Sequence, residues 1–310
     1  LISGGGSSLL ADHPESCTPD DISVLNDLLV RSGADIREMN VVRKHLSSVK
    51  GGNLVKHIWP AYCCSIILSD VTGDPVDIIA SGPTVPDDST FKDALQVLYN
   101  RNLAGTVPQS VIAYLNEGAA GMHPANPASG DSVFSRTANI VSGNIAIALE
   151  SACKYAEKEG FKAQIVTHEM YGDPIGAARY IVDTALSYRK NPASALPACL
   201  LFGGETALKV TGNGLGGRNQ HLALAAAIML KDSPGITILA GGTDGNDGVT
   251  EMAGAVVDSE TLISAAKKGI NPESFLNDFD SYNFFKFTGG HIFTGPTMTN
   301  VMDMVIVLVE

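Results

Sequence analysis

Residues 145–190 read as helix, strand and helix in unbroken succession. IAIALESACKYAEKEG closes at Gly160, KAQIVTHEM is a strand, and PIGAARYIVDTALSYRKN opens on Pro174, which suits a first helical turn. No other feature constrains the fold as much, because such alternation is the mark of an α/β chain built on a mostly parallel sheet. The apolar run CCSIILSD, residues 63–70, has the pattern of a strand buried on both faces. Helical spacing covers 20–31, with Ile22, Leu25, Leu28 and Leu29 on one face, and again about 89–100. DIREMNVVRKHLSSVKGG is read as one helix ending at Gly51 or Gly52. Ligands bind at the carboxyl ends of strands in such sheets, and here the strand-ending loops are rich in Gly, Ser and Asp.

Composition shifts at NPASALPA, residues 191–198, which places a boundary between 1–192 and 193–310. The second part has shorter strands (ACLLFGGE, ITILAGG, AGAVVD, DMVIVLVE) and a nearly wholly apolar helix, RNQHLALAAAIML. Residues 116–132 are read as a flexible surface excursion. The formal net charge of −12 over 310 residues argues against a general nucleic-acid binder, though local cations still leave room for an anionic substrate. No apolar run is long enough for a membrane-spanning helix. Five cysteines without a C-x-x-C pair point to a reduced, intracellular protein and away from a zinc site or disulfide framework. The chain starts LISGGGSSLL, without Met, as if at the end of a strand under way. Residue 1 is expected to be an internal point of a longer protein.

Several loops carry candidate chemistry. In ISGGGSS, the backbone and hydroxyls of Ser3, Gly4, Gly5, Gly6, Ser7 and Ser8 suit a phosphate or carboxylate, and equally a tight turn. SDVTGDP and IASGPT bring Asp70 and Asp74 close to a second turn; Asp70 suits Mg²⁺ or the proton of a substrate hydroxyl, whereas Asp74 suits a local loop cap. VRKHLSSVKGG supplies Arg43, Lys44 and Lys50: Lys44 reads as a solvated helix face, and Lys50 as a cation within reach of a cleft. Arg218, in GLGGRNQH, opens the apolar helix, where a cation opposes the macrodipole and needs an anionic partner or a surface position. Its planar fork suits phosphate. Asn219 and Gln220 are read as ligand contacts or caps, and Glu205 as a partner of Arg218 or a metal. ILAGGTDGNDG ends an apolar strand in four glycines with Thr243, Asp244 and Asp247, a place for backbone and carboxylates to meet a ligand. These are the parts of a phosphoryl-transfer site, and they also fit a sugar-phosphate isomerase or a metal-assisted hydrolase.

ISGGGSSLL, RKHLSSVKGG, ILSDVTGDPVDIIASGPTVPDDSTF, GGETALKV, GNGLGGRNQHLALA, GGTDGNDGVTEMAGAVVD and TGPTMTNVMD, in this order, resemble the glycerate 2-kinase family. The resemblance runs over essentially the whole chain and looks closest to the animal-type members. It implies ATP-dependent phosphorylation of D-glycerate at the 2-hydroxyl, with Mg²⁺. It implies a Rossmann-like, mostly parallel sheet domain over 1–192, N-terminally incomplete, then a smaller α/β MOFRL domain over 193–310, with the active site in the cleft between them. On that footing Arg218, Asp70 and Lys50 are assigned to catalysis. Ser3, Gly4, Gly5, Gly6, Ser7, Ser8, Arg43, Asn219, Gln220 and Thr243 are assigned to substrate or phosphate, and Asp244, Asp247 and Glu205 to the metal.

The implied partners are D-glycerate and ATP, with no nucleic acid and no membrane; an oligomer is compatible, and the compartment is cytoplasmic or mitochondrial. The sequence departs from the family at His221, where Glu is common, and at Met298, where Gly is preferred. The family also has a further N-terminal segment with a lysine-bearing G-K-A loop. Two rival readings are an inactive truncated fragment and an oxidoreductase acting on hydroxypyruvate. Against the second, no G-x-G-x-x-G opens a helix after a strand.

Overall fold

The computed structural model describes residues 1–231 and 233–310. By packing, the chain divides into two compact units, Leu1–Ser142 and Gly143–Glu310. This division lies upstream of the composition shift at 192/193, because the helix and strand of 145–170 pack with the C-terminal segment.

The first unit contains α1 (Gly6–Leu9), α2 (Pro19–Arg31), α3 (Ile36–Lys44), α4 (Asn53–Ile58), β1 (Cys63–Leu68), α5 (Phe91–Asn100), α6 (Gln109–Ala119) and β2 (Thr137–Gly143). Capping boxes start α2, α3 and α5, at Thr18/Asp21, Asp35/Glu38 and Thr90/Asp93, each satisfying helix-end N–H groups reciprocally. The apolar faces of α2, α3, α5 and α6 bury Leu25, Leu29, Val42, Leu98, Val111 and Leu115 in one core. β1 and β2 pair in parallel, and Ile2 makes a parallel bridge to Ile67. Burial alternates along β1: Ser65 and Ile67 are buried but Ile66 is exposed, so one face is packed rather than two.

The expected long helix ending at Gly51 or Gly52 is cut short, because α3 stops at Lys44 and α4 begins only at Asn53. Ser47 Oγ accepts from the N–H groups of Val49 (3.2 Å) and Lys50 (2.9 Å), a local turn that competes with helical bonding. Gly51 and Gly52 then take φ of 57° and 78°, which a side chain rarely tolerates. Residues 116–132 are not a loose excursion throughout: Asn126 is buried, donating to Asp87 (2.7 Å) and accepting from Asn53 (2.7 Å).

The second unit contains α7 (Ile145–Lys158), β3 (Lys162–Met170), α8 (Pro174–Lys190), β4 (Ala198–Gly204), α9 (Arg218–Met229), β5 (Ile236–Gly242), β6 (Gly254–Val257), α10 (Ser259–Lys267), α11 (Pro272–Asn277), α12 (Ser281–Thr288), β7 (His291–Ile292) and β8 (Asp303–Val309). Its sheet has six strands in the order β3-β4-β8-β5-β6-β7. β3 and β4 are parallel across the α8 crossover, while the remaining pairings are antiparallel. The α/β class therefore holds, with parallel pairing confined in this unit to β3 and β4. β4 is buried at every residue, and α9 from Asn219 to Ala227. The alanines of α9 let it lie close against α8, β5 and β6. Among the described residues no helix is long and apolar enough to cross a membrane.

Candidate functional site

In the first unit, three of the sequence motifs meet. Ser7 Oγ lies 2.8 Å from Ser81 Oγ, which donates to Asn40 Oδ1 at 2.8 Å. The N–H groups of Gly51 and Gly52 donate to the carbonyls of Ser81 (3.0 Å) and Gly82 (2.8 Å). Ala80, Ser81 and Gly82 are all left-handed, at φ 51°, 60° and 60°. For the two non-glycine residues this costs about 1–3 kcal/mol each, and the surrounding hydrogen bonds hold it in place. Beside them, a Cβ on Gly4 would lie 1.7 Å from Asp70 Oδ2, so only glycine fits against that carboxylate. The anion at Gly4 within this unit is thus Asp70 itself. Burial pushes the Asp70 carboxyl up, which makes its carboxylate a better proton acceptor.

Next to this loop is a cavity of about 270 Å³, lined in part by Ser7, Ser8, Asp12, Arg43, Ser47 and Lys50. Lys50 Nζ donates to the Leu10 carbonyl (2.6 Å) and lies 3.5 Å from Asp12 Oδ1. Burial lowers the Lys50 pKa, and Asp12 opposes that shift. Arg43 Nε donates to Asn26 Oδ1 at 2.7 Å, and burial lowers its pKa as well. Asp12 resists burial: hydrogen bonds from Ser47 Oγ (2.6 Å), Ser48 N (2.6 Å) and Ser48 Oγ (2.9 Å) bring its carboxyl below the ordinary range. Two cations and one carboxylate line this cavity, an excess of positive charge suited to a small organic acid. Lys44 has a different fate from the solvated face expected of it: it is buried, 3.5 Å from the buried Asp87.

In the second unit, Arg218 stands at the start of α9 and Asp303 at the start of β8, with Glu205 just past β4. Arg218 Nε and Nη2 donate to Asp303 Oδ2 (2.5 Å) and Oδ1 (2.9 Å), a two-pronged pair, while Nη1 donates to Glu205 Oε1 (2.6 Å). The Asp303 side chain is 1% exposed and that of Glu205 46%. Burial works against the charge on Arg218, and the carboxylates, Asp303 foremost, outweigh it and push the pKa up. The conflict between this cation and the helix dipole is thus resolved by two anionic partners. Arg218 and Glu205 line a cavity of about 770 Å³ with Thr206, Gly216 and Gly217 among others.

The GGTDGNDG loop turns out to hold this cation's helix. Asp247 is 2% exposed. Its oxygens accept from Asn219 N (3.0 Å), Gln220 N (2.8 Å) and Gln220 Nε2 (3.0 Å), which caps α9 from a distant loop. A Cβ on Gly217 would lie 2.2 Å from Asp247 Oδ1, so glycine is required there. Asn219 and Gln220 therefore act in the cap, the alternative already visible in the sequence. Thr243 Oγ1 donates to the Met302 carbonyl (2.7 Å) and accepts from Val301 N (2.9 Å), joining the loop to the start of β8. Asp244 Oδ1 accepts from Asn246 N at 3.0 Å. Among the described residues no group of three or more His, Cys, Asp or Glu is arranged to hold a metal ion. Asp303 and Asp12 escaped the sequence reading; the only signal for Asp303 was an acidic residue opening the apolar run MVIVLV.

Both departures from the family pattern have a structural setting. Met298 is 94% exposed and has φ 60°, so the site favours glycine for its backbone rather than for space. His221 is 1% exposed, stacked on Phe279 at 5.1 Å, and burial pushes its pKa down to about 4. The unfolded chain, with an ordinary histidine, binds the proton first as pH falls below about 6.5. Stability is therefore lost from that pH down to about 4, on the order of 3 kcal/mol in total, and no further below it. Urea unfolding of the wild type and His221→Gln checks this: their stability difference should shrink between pH 7 and pH 4.5. A constant difference would show that His221 is not held neutral.

Comparison with known proteins gives these sites a family. Residues 1–116 match a domain of unknown function (DUF4147), and residues 198–303 match the MOFRL family. The chain is 40% identical over 313 residues to the D-glycerate 2-kinase of Thermotoga maritima, spanning 100% of this chain and 71% of that protein. The crystal structure of glycerate kinase from that organism superposes with a TM-score of 0.91, covering 100% of this chain and 72% of the other. A putative hydroxypyruvate reductase of Agrobacterium vitis is also 40% identical, over 100% of this chain and 69% of its own length. Human glycerate kinase is 37% identical over 98% of this chain and 65% of its own length, so the likeness does not favour the animal enzymes. The chain belongs to the glycerate 2-kinase family.

Proposed function

We propose that this chain phosphorylates D-glycerate at its 2-hydroxyl with ATP as donor. The observation that carries the reading is its similarity, along its whole length, to a protein named D-glycerate 2-kinase. In the first unit, the Arg43 and Lys50 cavity takes the glycerate carboxylate, and Asp70 accepts the proton of the attacking hydroxyl; its raised pKa suits that exchange. In the second unit, Arg218 neutralises phosphate charge. Asp303 is buried and holds the guanidinium in place, whereas Glu205 is half exposed and is the carboxylate that yields Nη1 to an incoming anion. Charge stabilisation and positioning of this kind supply most of the catalysis in phosphoryl transfer.

Mg²⁺ is the proposed companion of the nucleotide, entering on the ATP phosphates. Asp244, Asp247 and Glu205 do not fit it as a set. Replacing the N–H donors on Asp247 by a metal would uncap α9, and Glu205 serves Arg218. A reducing compartment, cytoplasmic or mitochondrial, accords with five free cysteines. The test is ADP release by the full gene product, with D-glycerate and ATP in one arm and hydroxypyruvate and NADH in the other. D-Glycerate-dependent ADP formation is expected. NADH oxidation without ADP would replace the kinase by a reductase, and silence of a folded protein would leave neither.

A further inference from the structure

A second cavity of the first unit, about 250 Å³, is lined by His13, His45, Lys56 and His57 with Asn126 and Tyr114 among others, and no lining residue is acidic. The chain as a whole has 33 acidic residues against 21 Lys and Arg. A cavity with four basic side chains and no carboxylate reverses that balance locally. We propose that this cavity is a separate anion site, for a small phosphate-bearing ligand.

The basic groups are held by their surroundings. Each imidazole has one ring nitrogen on a backbone carbonyl: His13 Nδ1 on Pro14 (3.0 Å), His45 Nδ1 on Val41 (2.8 Å) and His57 Nε2 on Ser48 (3.0 Å). These bonds fix the rings and give the carbonyl-facing nitrogen the proton, so that the second nitrogen meets the ligand. An imidazolium carries an N–H donor on each ring nitrogen, so its second nitrogen is a donor for an oxyanion. Lys56 Nζ donates to the Ala125 carbonyl at 2.8 Å, which positions its ammonium; burial lowers its pKa, and Asp131 opposes that shift. His45 is buried whereas His13 and His57 are exposed, so the cavity has both an interior and a rim. Its wall is stiff: Phe91 packs edge-on to His45 at 4.7 Å, and Tyr114 stacks on His123 at 4.1 Å.

The nearest carboxylates are already engaged. Asp87, behind Asn126, is paired with Lys44; Asp93, on α5 facing His45, serves the Thr90 cap; Glu117 meets His123; Asp131, whose charge reaches Lys56, accepts from Val133 N; Asp21, near His13, serves the Thr18 cap; and Asp12 is held by Ser47 and Ser48. Three imidazoles here do not count as a metal group, since none exists among the described residues. The volume is several times the roughly 30 Å³ of a water molecule and accommodates a phosphate with a short organic tail.

The cavity also shares Ser47 with the Lys50 cavity. His57 bonds the Ser48 carbonyl, and Ser47 and Ser48 hold Asp12, the partner of Lys50. An occupant would thus be felt at Lys50, a consequence that rests on the proposed function, whereas binding itself does not.

The test is calorimetric titration of inorganic phosphate into the full chain, with histidine ring NMR in parallel. Saturable binding is expected, with the His13, His45 and His57 resonances moving and His168 and His221 still. The double variant Lys56→Met/His57→Gln, changed away from the core, should bind at least tenfold more weakly. Arg43→Met, in the neighbouring cavity, should bind as the wild type does. Tighter binding of glycerol 2-phosphate would identify an organic phosphate as the ligand, and equal binding the phosphate ion. Non-saturable uptake, an adventitious ion only, would overturn the proposal. So would binding that survives the double variant or vanishes with Arg43. None of these readouts depends on turnover, so failure here is distinct from failure of the kinase reading.

Discussion

Replacing Arg218 with Met is expected to lower D-glycerate-dependent ADP formation by about 10³-fold or more, the scale of losing a cation that stabilises a transferring phosphoryl group. The same change leaves Asp303 buried at 1% side-chain exposure without its two-pronged partner. That alone should destabilise the protein by about 3–5 kcal/mol, the cost of an uncompensated buried charge. Arg218→Lys keeps the charge but loses the planar fork, and should recover part of the stability and little of the activity. Arg218→Met/Asp303→Leu removes the buried carboxylate together with its partner; it should regain much of the stability and none of the turnover. Urea midpoints and kcat/KM on the three variants separate the two roles. An Arg218→Met protein with full activity would remove this guanidinium from the chemistry.

The second large effect lies away from any proposed substrate. Lys44→Met should cost about 3–5 kcal/mol, because Asp87 would remain in the interior without its ammonium. The two side chains are 7% and 4% exposed and 3.5 Å apart. Asp87 also receives Asn126 Nδ2 (2.7 Å) and Ser89 Oγ (2.8 Å), so the pair joins α3 to the segments around 89 and 126. Lys44→Met/Asp87→Asn restores neutrality while keeping an acceptor, and should be closer to the wild type than either single variant. Chemical unfolding of all three checks the order. Single variants within about 0.5 kcal/mol of the wild type, as for ordinary surface changes, would mean that the pair is solvated after all.

This pair also shows where sequence reading stops. Arg43, Lys44 and Lys50 stand in one short segment, and the residue types cannot say which ammonium turns inward. That depends on Asp87 and Asp12, which are distant in sequence. Arg218 was legible for the opposite reason. A cation opening an apolar helix states its own need for an anion, although the anion, Asp303, lies on a strand 85 residues away. The density of glycine around Asp244 and Asp247 was legible as a close approach, but the partner approached is the N-terminus of α9. The helix over 20–31 was legible from apolar spacing, although its cap at Thr18 was not read, and the α/β class from the succession of helix and strand. Strand partners did not follow. β8, last in sequence, lies between β4 and β5, which turns most of the second sheet antiparallel.

The central claim is the transfer of phosphate to one particular hydroxyl. Its most direct test is ³¹P and ¹H NMR of the product formed from D-glycerate and ATP by the full gene product. The expected result is a phosphate coupled to the single methine proton at C2. Phosphate coupled to the C3 methylene pair, or no phosphate ester at all from a folded protein, would contradict it.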